Sequence, residues 1–355
     1  MGQTDNNNAE LKMAAGRSTA AILAARPALA LVLALPLLAP GHAARAADPL
    51  NDPASIVSLT VENDAFSLPG TDRYYTAGES LSYVLPTGVL PDFLAGLGHQ
   101  WFGDGSQRLE FNLQSTIYTP VDTQAYNPDP EDRPYAGQLT LHGTLIQDTS
   151  AMRSFIQVSV GVVGPAALGQ SIQNGFHQII GQHGNNGWHY QLHNEPTLDF
   201  FGGRIWRYDL ASFANGNLDI QFLPQVSEQV GNTEIFAQAG GIFRIGSGLN
   251  SDFGPNLIQP AMSGTNAYTP TQPLVWYIFG GASGRLVAHD MLVQGNDFRS
   301  SRSVGLDPLQ GDLEVGAALM AFGLCLSATE VFTSPEFHGA APAFQYGSVT
   351  LSGRF

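Results

Sequence analysis

Carboxylate, amide and hydroxyl side chains gather in the short segment 62–78 (ENDAFSLPGTDRYYTAG). The members with chemical potential are Glu62, Asn63, Asp64, Asp72, Arg73 and Thr76. Carboxylate and amide oxygens beside flexible backbone are the ligands that a hard cation such as calcium prefers. Asn and Asp are also common in ordinary turns. The segment therefore predicts either a calcium site or a polar turn, and spacing alone leaves both open.

His177 is the histidine with the clearest context for acid–base chemistry. It lies in segment 167–181 (ALGQSIQNGFHQIIG), whose apolar residues recur at helical spacing: Ile172, Phe176, Ile179 and Ile180. The pattern predicts a short amphipathic helix that ends at glycine. Gln173, one turn before His177, would extend its polar edge. An imidazole titrates near neutral pH and suits a general base, although a packed or solvent-facing histidine fits the same pattern.

A second polar segment, 127–137 (NPDPEDRPYAG), contains Asp132, Arg133 and Tyr135, of which Arg133 and Tyr135 are candidate substrate-binding residues. The planar guanidinium of Arg133 could bind an anionic head group through two hydrogen bonds. A structural salt bridge within a solvated turn is an equally good interpretation.

Several functional classes lack support. The spacing of His183, His189 and His193 matches no closed zinc pattern, and the chain contains no GxSxG elbow, phosphate loop or dinucleotide fingerprint. The formal net charge of −15 argues against a nucleic-acid partner. Cys325 is the single cysteine, so no internal disulfide can form, and we expect a small buried or lipid-facing side chain.

Strand signals with a two-residue period recur along the chain. In segment 109–117, apolar Leu109, Phe111 and Leu113 alternate with polar Glu110 and Asn112. Such strands have one apolar and one polar face. A soluble sandwich and a membrane barrel both alternate in this way, so the period predicts an all-β fold without locating it.

Residues 1–46 read as a signal peptide. Lys12, Arg17 and Arg26 precede or border an apolar core at 27–40, and a small-x-small site at 44–46 predicts cleavage before Ala47. The predicted mature domain is 47–355, and it contains no apolar run approaching the roughly 18 residues of a membrane-spanning helix. Any crossing of a membrane must therefore be made by strands.

The final segment, 347–355, favours the barrel. Val349, Leu351 and the terminal Phe355 share one face, and a last strand that ends on an aromatic residue is typical of outer-membrane barrels. At about 10 residues per strand, the predicted domain holds roughly 10 to 14 antiparallel strands with loops. We expect one transmembrane β-barrel in the cell outer membrane.

Together these segments resemble one family, the outer-membrane lipid A 3′-O-deacylases. The matching stretches, in the family's order, are SLTVENDAF (58–66), TDRYYTAG (71–78), IYTP (117–120), DRPYAG (132–137), VGPAALGQSIQNGFHQIIG (163–181) and FQYGSVTLSGRF (344–355). The resemblance runs from just after the predicted leader to the last residue, and several motifs in register are more specific than any one.

The resemblance implies a twelve-stranded barrel and a calcium-dependent carboxylic ester hydrolase at the outer rim, acting on lipid A of lipopolysaccharide. His177 would be the base that activates water, Asn63 would orient it, and calcium would stabilise the oxyanion. Asp64 would bind calcium and Thr76 would share the pocket. The matching motif adds Asp72 beside the metal and Arg73 beside the substrate. The expected partners are lipopolysaccharide and the barrel-assembly machinery, with the protein a monomer.

This chain departs from the family pattern at two positions. The best-known members of the family place a lysine in the loop after the IYTP-like motif, whereas the only lysine here is Lys12, so Arg133 would substitute. Some members carry an acidic residue six positions after the histidine, where this chain has His183. A further carboxylate, Glu62 or Glu195, would then complete the calcium site.

Two other functions remain open at this stage. A phospholipase acting on glycerophospholipids would use the same residues on a different lipid. A non-catalytic porin-like barrel would need none of them and would conduct ions.

Overall fold

The computed structural model describes residues 52–67, 72–258, 264–341 and 343–355, so the predicted signal peptide 1–46 lies outside the described residues. One antiparallel sheet contains every named strand. The strands are β1 (Ile56–Asn63), β2 (Tyr74–Val84), β3 (Ser106–Thr119), β4 (Ala136–Asp148), β5 (Met152–Val163), β6 (Glu195–Trp206), β7 (Tyr208–Phe213), β8 (Leu218–Gly231), β9 (Glu234–Ser247), β10 (Leu274–Asp290), β11 (Leu309–Ala321), β12 (Leu324–Thr333) and β13 (Phe344–Arg354).

Helical structure is confined to the connections. The α-helices are α1 (Asp92–Phe102), α2 (Gly169–Ile179) and α3 (Met291–Gln294). Short 3-10 turns occupy Asp64–Phe66, Pro165–Ala167, Gly187–Tyr190, Ala214–Gly216 and Leu249–Ser251. Within the described residues, no helix combines the length and the apolar character needed to cross a membrane.

The sheet closes on itself. β1 pairs with β13, and β6 pairs with β8. Only Arg207 separates β6 from β7, and both segments pair with β8 along successive stretches, so they act as one bent strand. The result is the predicted barrel of twelve antiparallel strands. Closure leaves no strand edge without a hydrogen-bonding partner, as a lipid environment requires.

The exposure of the two faces of the wall distinguishes a membrane barrel from a soluble sandwich, which the alternating sequence pattern alone could not do. On β1, Ser58, Thr60 and Glu62 are buried inside the barrel, whereas Leu59 is 51% exposed on the outside. Leu81 and Leu113, its neighbours across the sheet, are exposed on the same outer face. An apolar exterior around a polar interior is the arrangement of a membrane barrel and the reverse of a soluble protein.

The two ends of the barrel differ. The chain enters β1 beside the end of β13, where Ser55 and Phe355 exchange backbone hydrogen bonds. The opposite end carries the long connections 120–135, 164–194 and 291–308. In outer-membrane barrels the longer connections face outward, so we call this opposite end the outer rim.

The described parts of the β9–β10 connection, 248–258 and 264–273, fold into the barrel from the end that holds the termini. Along its path, Thr265 accepts a hydrogen bond from Arg153 at 2.9 Å, and Asn266 donates one to Glu110 at 2.6 Å. Further up, the backbone N–H of Ile258 donates to Glu62 at 2.8 Å, near the outer rim. At that rim α3 packs into an apolar cluster with residues of β2, β12 and β13. The described segments therefore fill much of the lumen.

Arg244 holds the base of this inner segment. It is fully buried, pairs with Asp252, and donates hydrogen bonds to Gln221 and to the Leu249 carbonyl.

Replacing Arg244 by alanine leaves Asp252 buried without its cation, so we expect the free energy of unfolding to fall by about 3 kcal/mol. We also expect the variant to conduct more current than the parent barrel in planar bilayers. Exposed Arg299 supplies the control substitution. If the Arg244→Ala variant conducts no more current than the parent and unfolds at the same point, Arg244 does not hold the inner segment in place.

Candidate functional site

Some of the predicted site residues, Asp72 and His177 among them, meet on the outer wall of the barrel, below α2. The residues that pack α2 onto the wall form one apolar cluster: Ala77, Ile117, Tyr135, Ile172 and Trp188. Ala77 pairs with Ile117 across β2 and β3, four positions along each strand from exposed Leu81 and Leu113. Since side chains four positions apart on a strand share a face, this cluster lies on the lipid-facing side of the wall.

Close packing sets the position of α2. A Cβ atom at Gly169 would lie 2.9 Å from the Gly137 Cα and 2.9 Å from the Trp188 ring. Only glycine at both backbones permits this approach. The Trp188 ring packs against Tyr135 with ring centroids 4.9 Å apart. The predicted short loop helix is therefore present and is held against β4 by contacts that the helical pattern itself did not reveal.

Asp72 connects the loop between β1 and β2 to α2 and to the segment that follows α2. Its carboxylate accepts hydrogen bonds from Gln173 at 2.8 Å and from Asn185 at 2.6 Å. The Asp72 carbonyl accepts one from Thr119 at 3.1 Å. Burial raises the pKa of Asp72, while the Asn185 hydrogen bond and the nearby His177 act in the opposite direction. The carboxylate is thus surrounded mainly by neutral donors, an environment that favours an added cation.

His177 reaches the same carboxylate from the last turn of α2. Its Nδ1 lies 3.0 Å from the His183 carbonyl, and its Nε2 lies 3.8 Å from Asp72 Oδ2. A carbonyl can only accept, so Nδ1 carries the proton of the neutral ring and Nε2 presents a lone pair. The imidazole side chain is 12% exposed. This tautomer and orientation suit Nε2 for removing a proton.

Asn63, Asp64 and Thr76 flank this pair. Asp64 is buried and accepts a hydrogen bond from the Arg73 backbone at 2.9 Å. The Asn63 side chain caps the 3-10 turn that follows β1, accepting from Ala65 at 2.8 Å. Thr76 lies at an irregularity in the β2–β3 register and shares a 2.7 Å hydrogen bond with Thr119. Asn63 therefore borders the site, while the contact that orients His177 comes from the His183 backbone.

Other predicted residues lie apart from His177. Glu62 faces the lumen, where it accepts hydrogen bonds from Tyr75 and Ile258 at 2.7 and 2.8 Å. Glu195 accepts hydrogen bonds from the backbone N–H groups of Asp297 and Phe298 and from the Asn296 side chain. Because both carboxylates are engaged elsewhere, neither completes a metal site beside Asp64.

The proposed substrate ligands are also dispersed. Arg133 is buried, pairs with Glu336 at 2.8 Å and lies over the Tyr118 ring. Contact with a head group would require this internal ion pair to open. Tyr135 supports α2 through Trp188 and donates to the Thr123 carbonyl at 3.2 Å. The Arg73 side chain lies over the Tyr74 ring, close to the site.

Asn185 and Thr119 are site residues that the sequence did not single out. Asn185 is buried, and its backbone N–H and carbonyl both pair with the Asn174 side chain. Thr119 lies in the IYTP motif, yet nothing in that motif assigned it a contact. Asparagine in a turn and threonine in a strand are too common for either to carry a signal.

The fold and the position of the site define a class: an outer-membrane β-barrel with a polar cluster on its outer wall. The family described as "Outer membrane protein LpxR" matches residues 29–355. The chain belongs to this family, which confirms the resemblance found in its motifs and its outer-membrane location.

A solved structure shares this fold. The chain is similar to LpxR from Salmonella typhimurium, with a TM-score of 0.70 and 21% identity over 85% of this chain and 100% of that one. It also matches the β domain of the Bordetella autotransporter BrkA, with a TM-score of 0.38 and 9% identity over 86% and 98% of the two chains. A search of curated proteins found no match.

The fit of α2 on the wall can be tested with two glycines of the same helix. Gly169→Ala places a methyl group against Gly137 and Trp188, so α2 must shift and displace Gln173 and His177 from Asp72. Gly175→Ala meets no atom within 4 Å. We expect Gly169→Ala to lower lipid hydrolysis at least tenfold and Gly175→Ala to leave it near the parent rate, with both barrels folded by heat-modified gel migration. Equal rates for the two variants would show that the position of α2 does not matter.

Proposed function

We propose that this protein hydrolyses an ester bond of lipid A and releases an acyl chain at the outer rim of the barrel. The observation that carries the proposal is the location of the polar cluster. Asp72 and His177 lie on the outer wall, directly above exposed apolar residues, and not in the lumen. A membrane lipid reaches that surface by lateral diffusion, whereas a solute passing through a pore would not.

The helix above the site supports a lipid substrate. Phe176 and Ile179 of α2 are 54% and 84% exposed, and Leu168 just before it is also exposed. An amphipathic helix with an exposed apolar edge is suited to the boundary between head groups and acyl chains. Membership of the LpxR family points to lipid A among the lipids of the outer leaflet.

In the proposed mechanism, His177 is the general base. Nε2 takes a proton from a water, and the resulting hydroxide adds to the ester carbonyl carbon. The tetrahedral intermediate then expels the sugar alkoxide, which takes the proton back from the imidazolium. The products are a fatty acid and a lipid A alcohol. The His183 carbonyl keeps Nδ1 protonated throughout, and the Asp72 carboxylate at 3.8 Å stabilises the imidazolium.

Asp64 and Asp72 are the carboxylates that would hold calcium, with Asn63 and Thr76 as neutral oxygen donors beside them. The donor set is all oxygen, which fits a hard cation, and the half-buried Asp72 carboxylate has no strong cationic partner. Among the described residues no group of three or more His, Cys, Asp or Glu side chains could hold a metal. Backbone and substrate oxygens would therefore complete the coordination. When bound, calcium supplies electrostatic stabilisation of the oxyanion.

Substitution of the base tests the mechanism. We expect His177→Gln to reduce acyl release from lipid A about 100-fold or more, because proton transfer by a positioned base contributes about that factor. His189→Gln is the matched control, since this exposed histidine stacks beside Tyr126 away from the site. The measurement is mass spectrometry of lipid A extracted from cells that express each chain.

Each outcome discriminates among the candidates. A mass loss that requires His177 supports the deacylase. Release of fatty acid from phospholipid vesicles, with unchanged lipid A, would favour a phospholipase. Conductance through the parent barrel without hydrolysis of either lipid would favour a porin.

Removal of metal tests the calcium assignment. We expect chelation to abolish hydrolysis and added calcium to restore it. Asp64→Asn should raise the calcium concentration needed for half-maximal activity at least tenfold, because affinity depends on the number of charged ligands. Asp129→Asn, in an exposed loop, should not change it. Full activity in chelator would remove calcium from the mechanism and leave His177 as the base.

A further inference from the structure

Helix α1 lies against the lipid-facing side of the wall, at the end of the barrel that holds the termini. A Cβ atom at Gly98 would lie 3.3 Å from the Leu145 side chain and 2.6 Å from the Gln107 side chain. Leu145 is four positions along β4 from Leu141, which is 50% exposed, so both point outward. Leu145 itself is only 5% exposed, because α1 covers it.

Hydrogen bonds attach α1 to this side of the wall. Gln107 and Gln147 pair across β3 and β4 on the outer face, where the Gln107 amide donates to the Gln147 side chain at 2.7 Å. Gln107 also donates to the Ala95 carbonyl at 3.1 Å, and Gln147 donates to the Gly103 carbonyl at 2.7 Å. Polar side chains beside lipid need such partners within the protein. The position of α1 on the wall is therefore set by specific contacts.

A second face of α1 carries an apolar stripe that the barrel leaves uncovered. Phe93, Leu97 and Trp101 recur every four residues and so share one face of the helix. Phe93 is 74% exposed and Trp101 is 40% exposed. His99, which is exposed, lies about 160° around the helix from Trp101. The helix thus contacts the wall on one face and has an apolar and a polar face besides.

We propose that α1 is an interfacial helix whose stripe of Phe93, Leu97 and Trp101 docks into the lipid leaflet at the end that holds the termini. A short amphipathic helix with aromatic and leucine side chains lies at the boundary between head groups and acyl chains. Neighbouring rings continue the same surface: Tyr83 and Phe355 are exposed at this end, with ring centroids 6.4 Å apart. Aromatic girdles of this kind mark the membrane boundary of outer-membrane barrels.

The spacing of α1 and α2 matches the thickness of a membrane. On β4, α2 packs at Gly137 and α1 is bound at Gln147, ten residues further along the strand. Ten residues span about 33 Å along a strand. With a strand tilt of about 40°, this is roughly 25 Å along the membrane normal, which is the height of the apolar band of an outer-membrane barrel. The two helices therefore lie at the two boundaries of that band.

The composition of α1 favours lipid over a charged partner. Asp92 is its only charged residue, and neither α1 nor the flanking segments 85–91 and 103–105 contain lysine or arginine. Docking must then come from apolar contact and not from attraction to anionic head groups. Because the stripe adjoins the lipid-facing wall, lipid reaches it as soon as the barrel is inserted. Docking is also independent of lipid hydrolysis at the outer rim.

Fluorescence quenching in vesicles tests the docking. The whole protein with Cys325→Ser and either Phe93→Cys or His99→Cys is labelled at the new thiol and reconstituted into phosphatidylcholine vesicles. Some of the lipids carry a nitroxide quencher, placed near the head group or at the end of an acyl chain. We expect the shallow nitroxide to quench the label at position 93 about threefold more than the label at position 99. Aqueous iodide should quench the label at position 99 more strongly.

Two matched substitutions separate the apolar face from the polar one. Leu97→Asp places a carboxylate in the middle of the stripe, so the label at position 93 should lose its quenching by lipid and become accessible to iodide. His99→Asp adds the same group on the polar face and should leave the lipid quenching unchanged. Trp101→Cys gives a second label position on the stripe if Phe93→Cys fails to fold. Heat-modified gel migration checks the folding of each variant.

Quenching by lipid that Leu97→Asp abolishes and His99→Asp retains supports the docking, whether or not the reconstituted protein hydrolyses lipid. Equal quenching at positions 93 and 99, or free access of iodide to position 93, overturns it and leaves the stripe open to a protein partner. Quenching that appears only after an anionic lipid is added would also overturn it, because charge and not the apolar stripe would then hold α1 at the membrane.

Discussion

Within a bilayer, every backbone N–H and carbonyl of the wall must find its partner in the sheet, because lipid offers none. The pairings β1–β13 and β6–β8 meet this constraint by joining the two ends of the sheet. Closure then determines which side of each strand meets lipid. Leu59 and Leu81 face outward, while Ser58 and Glu62 face the lumen, so the protein has an apolar surface and a polar interior.

The polar interior imposes its own requirement. Charged groups away from bulk water need partners, and the interior supplies them in ion pairs such as Arg244 with Asp252 and Arg133 with Glu336. Several of these pairs join the wall to segments that enter the lumen. The same interactions that satisfy buried charges thereby hold described segments inside the lumen.

The site depends on a different kind of contact. Asp72 brings together the β1–β2 loop, α2 and the segment after α2 through Gln173, Asn185 and His177. The close approach of Gly137 and Gly169 places the helix near enough for these bonds to form. The chemistry at the rim therefore rests on backbone packing several residues away from the reacting groups.

The sequence by itself determined the local pattern: the two-residue period of the strands, the helical period around His177, and the ordered motifs that indicate the family. These signals suffice because strand and helix periods follow from backbone geometry alone. Only the tertiary structure decided which polar residues meet. Asn63 and Glu62 are adjacent in the chain but lie on opposite faces of the wall, and Arg133 finds Glu336 about two hundred residues away. Asn185 joins Asp72 in the same long-range way. Such contacts depend on how the sheet closes and how loops pack upon it, and no local period encodes that.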